Sequence, residues 1–171
     1  MAPEFSRPER LDTIGAGARS VTVEADADER RRLAGRFGLV SVERLLARFE
    51  VRREAAGIAV EGRVEAAVVQ ACSVTGDPIP AQVDEPVTLL FVEPGAEGEE
   101  IELSDDAIDT VEIEGGAIDL GEAAAETMAL ALDPFPRSPA AEAALKEAGV
   151  LSEAEAGPFS GLAALKDKLR N

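Results

Sequence analysis

Eight carboxylates crowd residues 93–109: Glu93, Glu97, Glu99, Glu100, Glu102, Asp105, Asp106 and Asp109. Oxygen ligands at this density suit either a hard cation or a basic partner. The D-x-D-x-D-G-type loop closing on Glu, which spaces the ligands of an EF-hand, is missing. The stretch therefore predicts a solvated acidic loop or a contact surface for a basic partner, and no metal or cofactor is expected. A loop of about 17 residues is longer than compact domains usually carry, so it is either functional or disordered.

Cys72 is the one cysteine. A reactive thiol needs nearby positive charge or a helix N-terminus to hold its thiolate. The surroundings of Cys72 are acidic, so it reads as a small buried core residue. A single cysteine also excludes an intrachain disulfide and fits a reducing compartment. The chain has no His. Ser-His-Asp and Cys-His systems and His/Cys zinc sites are therefore excluded. No phosphate loop of the G-x-x-x-x-G-K-S/T type is present, and Gly15-Ala-Gly17 reads as a turn. Isolated carboxylates such as Asp12 and Glu43 form no acid/base pair that the sequence places together. No catalytic residue and no small-molecule substrate are expected.

Arg30, Arg31, Arg32 and Arg36 are the cationic counterpart. On a helix they share the face opposite Leu33 and Phe37. Charge runs of this kind usually form a solvated face, and the alternative is a phosphate or RNA contact. Positive charge is missing from the middle of the chain. Residues 1–63 hold 12 basic and 11 acidic groups, residues 64–136 hold none and 18, and residues 137–171 hold five of each. The net charge of −17 thus belongs almost wholly to the middle of the chain. One-signed charge of this size repels phosphate backbones and speeds encounter with cationic partners.

The elements that must position these groups follow from periodicity. With 171 residues, mean hydropathy near zero and only 4% aromatic residues, one domain with a modest aliphatic core is expected. Residues 1–19 read as an arm docked through Phe5, Leu11 and Ile14. Ser20–Glu24 alternates as a short strand. Asp26 with Glu29 predicts a capped helix start, and Gly38 its left-handed stop. Ala47, Phe49 and Val51, then Ile58, Val60, Val64, Ala66 and Val68, alternate with polar or small residues. This predicts an antiparallel hairpin turning at Ala55–Gly57, and its parity carries Cys72 onto the dry face. Thr75–Pro80 reads as a turn and Val83–Val92 as a third strand. Val111–Ile113 reads as a short strand, and a helix runs from Asp119 to Asp133-Pro134. A third helix opens at Ser138-Pro139 and stops near Gly149. Phe159, Leu162, Leu165 and Leu169 would line one side of a terminal amphipathic segment, which must pack on the body or on a partner. Met1-Ala-Pro-Glu-Phe5 has neither the basic start nor the apolar run of a secretory leader, and no stretch approaches the ~18 consecutive apolar residues of a membrane span. The fold class predicted is α+β, an antiparallel sheet with helices packed on one side. Its body is residues 20–136, and 137–171 form a C-terminal helix and tail.

Several short motifs occur in a familiar order. They are Phe5-Ser-Arg7 with Leu11, Gln70-Ala-Cys72-Ser-Val-Thr-Gly-Asp-Pro78, Phe91, Ile118-Asp119-Leu120-Gly-Glu122, Leu130-Ala-Leu132-Asp-Pro-Phe-Pro136 and Pro158-Phe159 before Leu165-Lys166. Together they resemble the YceD family, the large ribosomal RNA subunit accumulation proteins, in an alphaproteobacterial-type version. Many members carry a C-x-x-C pair where this chain has Thr75 after Cys72, and a Cys-rich segment near the end that is absent here. Any metal role of those members does not transfer. The resemblance implies a cytoplasmic protein that supports accumulation of large-subunit ribosomal RNA, and without a catalytic constellation the chain reads as a non-enzymatic factor in large ribosomal subunit biogenesis. The partner would be a basic ribosomal protein, that RNA, or both, with no membrane involved. The alternatives are an acidic chaperone for another basic client and, behind it, a carboxylate-based enzyme.

Overall fold

Alternation of apolar with polar or small residues over Ala47–Arg52 and Ile58–Val68 suits a sheet with one dry face, and the chain builds one. The computed structural model describes residues 3–95 and 109–150. Strands β1 (Pro8–Arg10), β2 (Arg19–Glu24), β3 (Ser41–Arg53), β4 (Ile58–Ala71), β5 (Pro78–Val92), β6 (Asp109–Glu112) and β7 (Ala117–Asp119) combine with helices α1 (Ala27–Phe37), α2 (Leu120–Ala131) and α3 (Ala141–Glu147). The fold class is α+β. The described residues form two units. One comprises residues 3–70, 80–95 and 109–134, and the other residues 71–79 and 135–150.

In the first unit five strands form one sheet in the order β2-β3-β4-β5-β6, and β1 with β7 forms a second, two-stranded sheet. The β3–β4 hairpin is antiparallel from Arg53 opposite Ile58 to Ser41 opposite Val69. Ala47, Phe49, Val51, Ile58, Val60, Val64, Ala66 and Val68 are buried, as the alternation predicts. A bulge between Val42 and Arg44 shifts the register by one residue. It brings even-numbered Val42 onto the same face as odd-numbered Leu45, and both are buried.

The third predicted strand starts earlier than expected, at Pro78 instead of Val83. Its prolines sit on a strand edge, where they are tolerated. The short strand after the acidic loop spans Asp109–Glu112 and runs parallel to β5, pairing Leu89–Val92 with Asp109–Glu112. The sheet is therefore antiparallel through β2, β3 and β4 but mixed at this end. A parallel pair needs a crossover of about a dozen residues or more, and the connection from Glu93 to residue 108 is long enough.

Helix α1 begins with the predicted reciprocal cap. The Asp26 carboxylate accepts from the Asp28 and Glu29 N–H groups, and Glu29 accepts from the Asp26 N–H at 2.9 Å. It ends at Gly38, whose φ of 64° few other residues adopt without cost. Helices α1 and α2 both pack on β3. Leu33, Leu120, Ala124, Ala125 and Met128 are among their buried residues.

The N-terminal segment closes this core. Phe5 has no exposed surface and Ile14 is 5% exposed. In place of a wholly extended arm, Leu11–Thr13 form one 3-10 turn after β1. Pro8–Arg10 pair antiparallel with Ala117–Asp119. Gly121 makes this approach possible: a Cβ there would lie 2.7 Å from the Phe5 carbonyl oxygen and 2.9 Å from the Arg7 nitrogen.

In the second unit, the Ser73 N–H donates to the Pro136 carbonyl at 2.8 Å. Helix α3 starts two residues beyond the proline at position 139, and Gly149 follows it with φ 77°.

Candidate functional site: an acidic groove beside strand β5

Where β5 is flanked by the short strand β6, a groove of about 1380 Å³ opens between the sheet end and α2. Its lining includes Glu85, Asp109, Glu112, Glu114, Asp119, Glu122 and Glu126 and, among the described residues, no Lys or Arg. The β5 alternation turns Val87, Leu89 and Phe91 inward, and with Ile118 and Ala123 they give the groove an apolar floor. Leu130 stands on its rim with 84% of its surface exposed.

Two of the seven carboxylates hold the fold together. Asp119 caps α2, accepting from the Gly121 N–H at 2.9 Å and the Glu122 N–H at 3.1 Å. It also accepts from the Arg7 N–H at 2.8 Å and the Ser6 hydroxyl at 2.5 Å, which pins the N-terminal segment to the helix start. Glu122 takes the Arg36 guanidinium in a two-pronged contact at 2.8 and 2.5 Å. The other five, Glu85, Asp109, Glu112, Glu114 and Glu126, have no ion-pair partner among the described residues, and all five are exposed. Partial loss of hydration raises the Glu126 carboxyl above the usual glutamate range, and the charge of Glu122 raises it further, against the pull of Arg36.

The positive charges are disposed oppositely. Every arginine among residues 1–63 has a partner within the chain. Arg7 grips Glu29 through both nitrogens at 2.7 and 2.9 Å. Arg10 pairs with Asp12, Arg19 with Glu9, Arg44 and Arg48 with Glu65, Arg52 with Glu54 and Glu61, and Arg63 with Asp84. Arg53 donates to the Leu11 and Ile14 carbonyls. The four helical arginines follow suit. Arg30 donates to the Ala25 carbonyl at 2.8 Å, Arg31 to Asp28 at 2.8 Å and Arg32 to the Glu4 carbonyl at 3.1 Å, while Arg36 holds Glu122 and, at 3.4 Å, Glu4.

Of the remaining predicted positions, Glu93, Pro78, Leu120 and Cys72 are described. Glu93 is exposed just after β5. Glu97, Glu99, Glu100, Glu102, Asp105, Asp106, Pro158 and Phe159 lie outside the described residues. Pro78 opens β5, and Leu120 is wholly buried at the start of α2. Cys72, in the second unit, is 4% exposed. Its sulfur nevertheless receives the Ser138 N–H at 3.3 Å and the Thr75 N–H at 3.4 Å. These contacts, Ser138 first, pull its pKa down to about 6. Backbone donors do here what neighbouring cations were required to do in the sequence reading. Among the described residues no cluster of His, Cys, Asp or Glu is arranged to hold a metal ion, and no helix is long and apolar enough to cross a membrane.

The groove residues Glu85, Glu112, Glu114, Glu126 and Leu130 escaped sequence reasoning. Their one signal was the absence of Lys and Arg from Val64 to Pro136. No curated protein and no solved structure matches the chain. Residues 60–166 match the family described as "Large ribosomal RNA subunit accumulation protein YceD"; that match covers most of the chain, which therefore belongs to the YceD family.

Proposed function

We propose that this protein is a non-enzymatic, cytoplasmic factor in large ribosomal subunit biogenesis, acting by binding a basic ribosomal protein on its acidic face. Membership of the family supplies the process, accumulation of the large ribosomal RNA subunit. The observation that carries the molecular part is the division of charge. The arginines of residues 1–63 are engaged internally, while five groove carboxylates have no ion-pair partner among the described residues. Outward-facing unneutralised carboxylates favour a cationic protein over a phosphate backbone. Shielding such a protein until it meets its RNA would support that RNA's accumulation.

Depleting the protein from its host and profiling ribosomal particles tests the process, and binding of purified basic large-subunit proteins to the full chain tests the contact. The reading requires depleted large-subunit RNA in the first and salt-sensitive binding in the second. Normal large-subunit RNA after depletion defeats it. Binding of large-subunit RNA itself, lost on replacing Arg30, Arg31, Arg32 and Arg36, would move the contact to the α1 face. Capture of basic clients outside the ribosome, with normal subunits, would make the protein a general acidic chaperone.

A further inference from the structure

We infer that the groove between β5, β6 and α2 seats an amphipathic helix of the partner protein, its Lys or Arg side chains on the groove carboxylates and its apolar stripe against Leu130 and the groove floor. This rests on the proposed contact with a basic protein and says which shape of cationic segment that contact takes.

The prolines of β5 decide the shape. Beyond β6, the outer edge of β5 has no strand beside it among the described residues, and an open edge invites an added strand. In a strand, the N–H and C=O of one residue point to the same side, and alternate residues share a side. The Val92 carbonyl accepts from the Ile113 N–H, so even-numbered residues of β5 face the outer edge. Burial alternates strictly from Val87 to Val92, and Val83 keeps the same odd parity across the exposed Glu85, so this parity holds at Pro86. Pro86 is even-numbered and lies in the groove lining. Pro78 and Pro80, further along the strand, have the same parity. Each removes an outward donor that an incoming strand would need. The edge is closed to strand addition.

The groove itself is open, and its volume suits about three turns of a helix ~10 Å across. Glu85, Asp109, Glu112 and Glu114 line the sheet side, and Glu126 lines the helix side. Leu130, one turn beyond Glu126 on α2, offers exposed apolar surface that bare charge attraction would leave unused. A purely cationic ligand satisfies the carboxylates alone. An amphipathic helix satisfies both.

Three peptides of equal length and charge, carrying a fluorophore, test this with the full chain. One places Leu and Lys at helical spacing, one alternates Val and Lys as a strand, and one is Lys with polar residues only. The helical peptide should bind about tenfold more tightly than the polar one, and should gain helical circular dichroism on binding. Leu130→Ser should weaken the helical peptide about tenfold and leave the polar one unchanged. Changing Glu85, Glu112, Glu114 and Glu126 to Gln should slow association of both about tenfold at low salt. Preference for the alternating peptide, or equal effects of Leu130→Ser on all three, overturns the inference. So does self-association of the chain through this face. Supplying Leu130→Ser or the Gln variant to depleted cells separates the two levels. If depletion lowers large-subunit RNA and both variants restore it, the groove inference falls and the biogenesis reading stands. If depletion has no effect, the biogenesis reading falls whatever the peptides do.

Discussion

The arginines of residues 1–63 and the carboxylates of the groove are opposite solutions to the same problem of placing charge on a small fold. Arg7, Arg36, Arg52 and Arg63 each meet a carboxylate, and Arg30, Arg32 and Arg53 meet backbone carbonyls. In the groove, Asp109, Glu112 and Glu114 have no cation beside them among the described residues. Counting residues would make the N-terminal third a candidate for nucleic acid. Counting partners does not, because a guanidinium already bonded must break that contact before it can take a phosphate. A sign run in a sequence becomes a surface field only where folding leaves it unneutralised.

The strongest way to break the comparison is to remove a carboxylate from the engaged set. Glu29→Ala strips Arg7 of its carboxylate and opens the cap of α1. It should cost about 2–3 kcal/mol, read as a lowered denaturant midpoint with unchanged slope. Glu114→Gln, in the exposed set, should stay within about 0.5 kcal/mol. Equal losses would mean that the distinction has no energetic content.

Acid titration sharpens it further, because Glu29 and Asp26 shift one way and Glu126 in the groove the other. The Arg7 contact lowers Glu29, and the Glu29 and Asp28 N–H groups lower Asp26. Their contribution is complete above the ordinary values of 4.5 and 3.8 and is lost as pH falls through the folded values below those. Glu126 is raised, so its charge disfavours the fold near neutrality, and stability from this group rises as pH falls through its folded value above 4.5. A stability curve should therefore show a shallow gain before the acid loss, and Glu126→Gln should abolish the gain. A gain that survives that change would contradict the assignment.

Smaller effects test the helical arginines. Arg36→Gln releases Glu122, adding one free carboxylate to the groove lining. Association of a cationic peptide should quicken about twofold at low salt and be unchanged once the charges are screened. Arg31→Ala breaks an exposed pair with Asp28 one turn away, and a change under about 0.5 kcal/mol is expected by chemical denaturation. A larger loss would show that the α1 face does more than solvate.

Local pattern carried the parts of the fold whose contacts are close in sequence. The β3–β4 hairpin, the Asp26 cap and the Gly38 stop were all legible because a few adjacent residues specify each. Pairing of β1 with β7 was not, since nothing in Pro8–Arg10 names Ala117–Asp119 as its partner. The parallel sense of β6 was equally hidden, because a four-residue strand pairs either way and only its crossover decides. The bulge at Val42–Arg44 breaks the parity that sequence reasoning extends. As for the site, its sign was legible and its residues were not. Glu85, Glu112 and Glu126 come from three elements, and only their packing makes them neighbours. Cys72 was read correctly as buried, while the Ser138 N–H that acidifies it arrives from 66 positions away.

The seating of Phe5 has a consequence for how the chain is made. Its slot in the core is completed by residues that include Gly121, and its neighbours Ser6 and Arg7 are anchored to Asp119 more than 110 positions later. During synthesis at about 5–20 residues per second, the Phe5 segment waits roughly 6–20 seconds for its partner to be made. Contacts of such high sequence separation form late and slow the final step of folding. Until then the hairpin is present but its core is open at the end Phe5 will fill, so the nascent chain, and not the finished protein, is the form most exposed to aggregation and proteolysis.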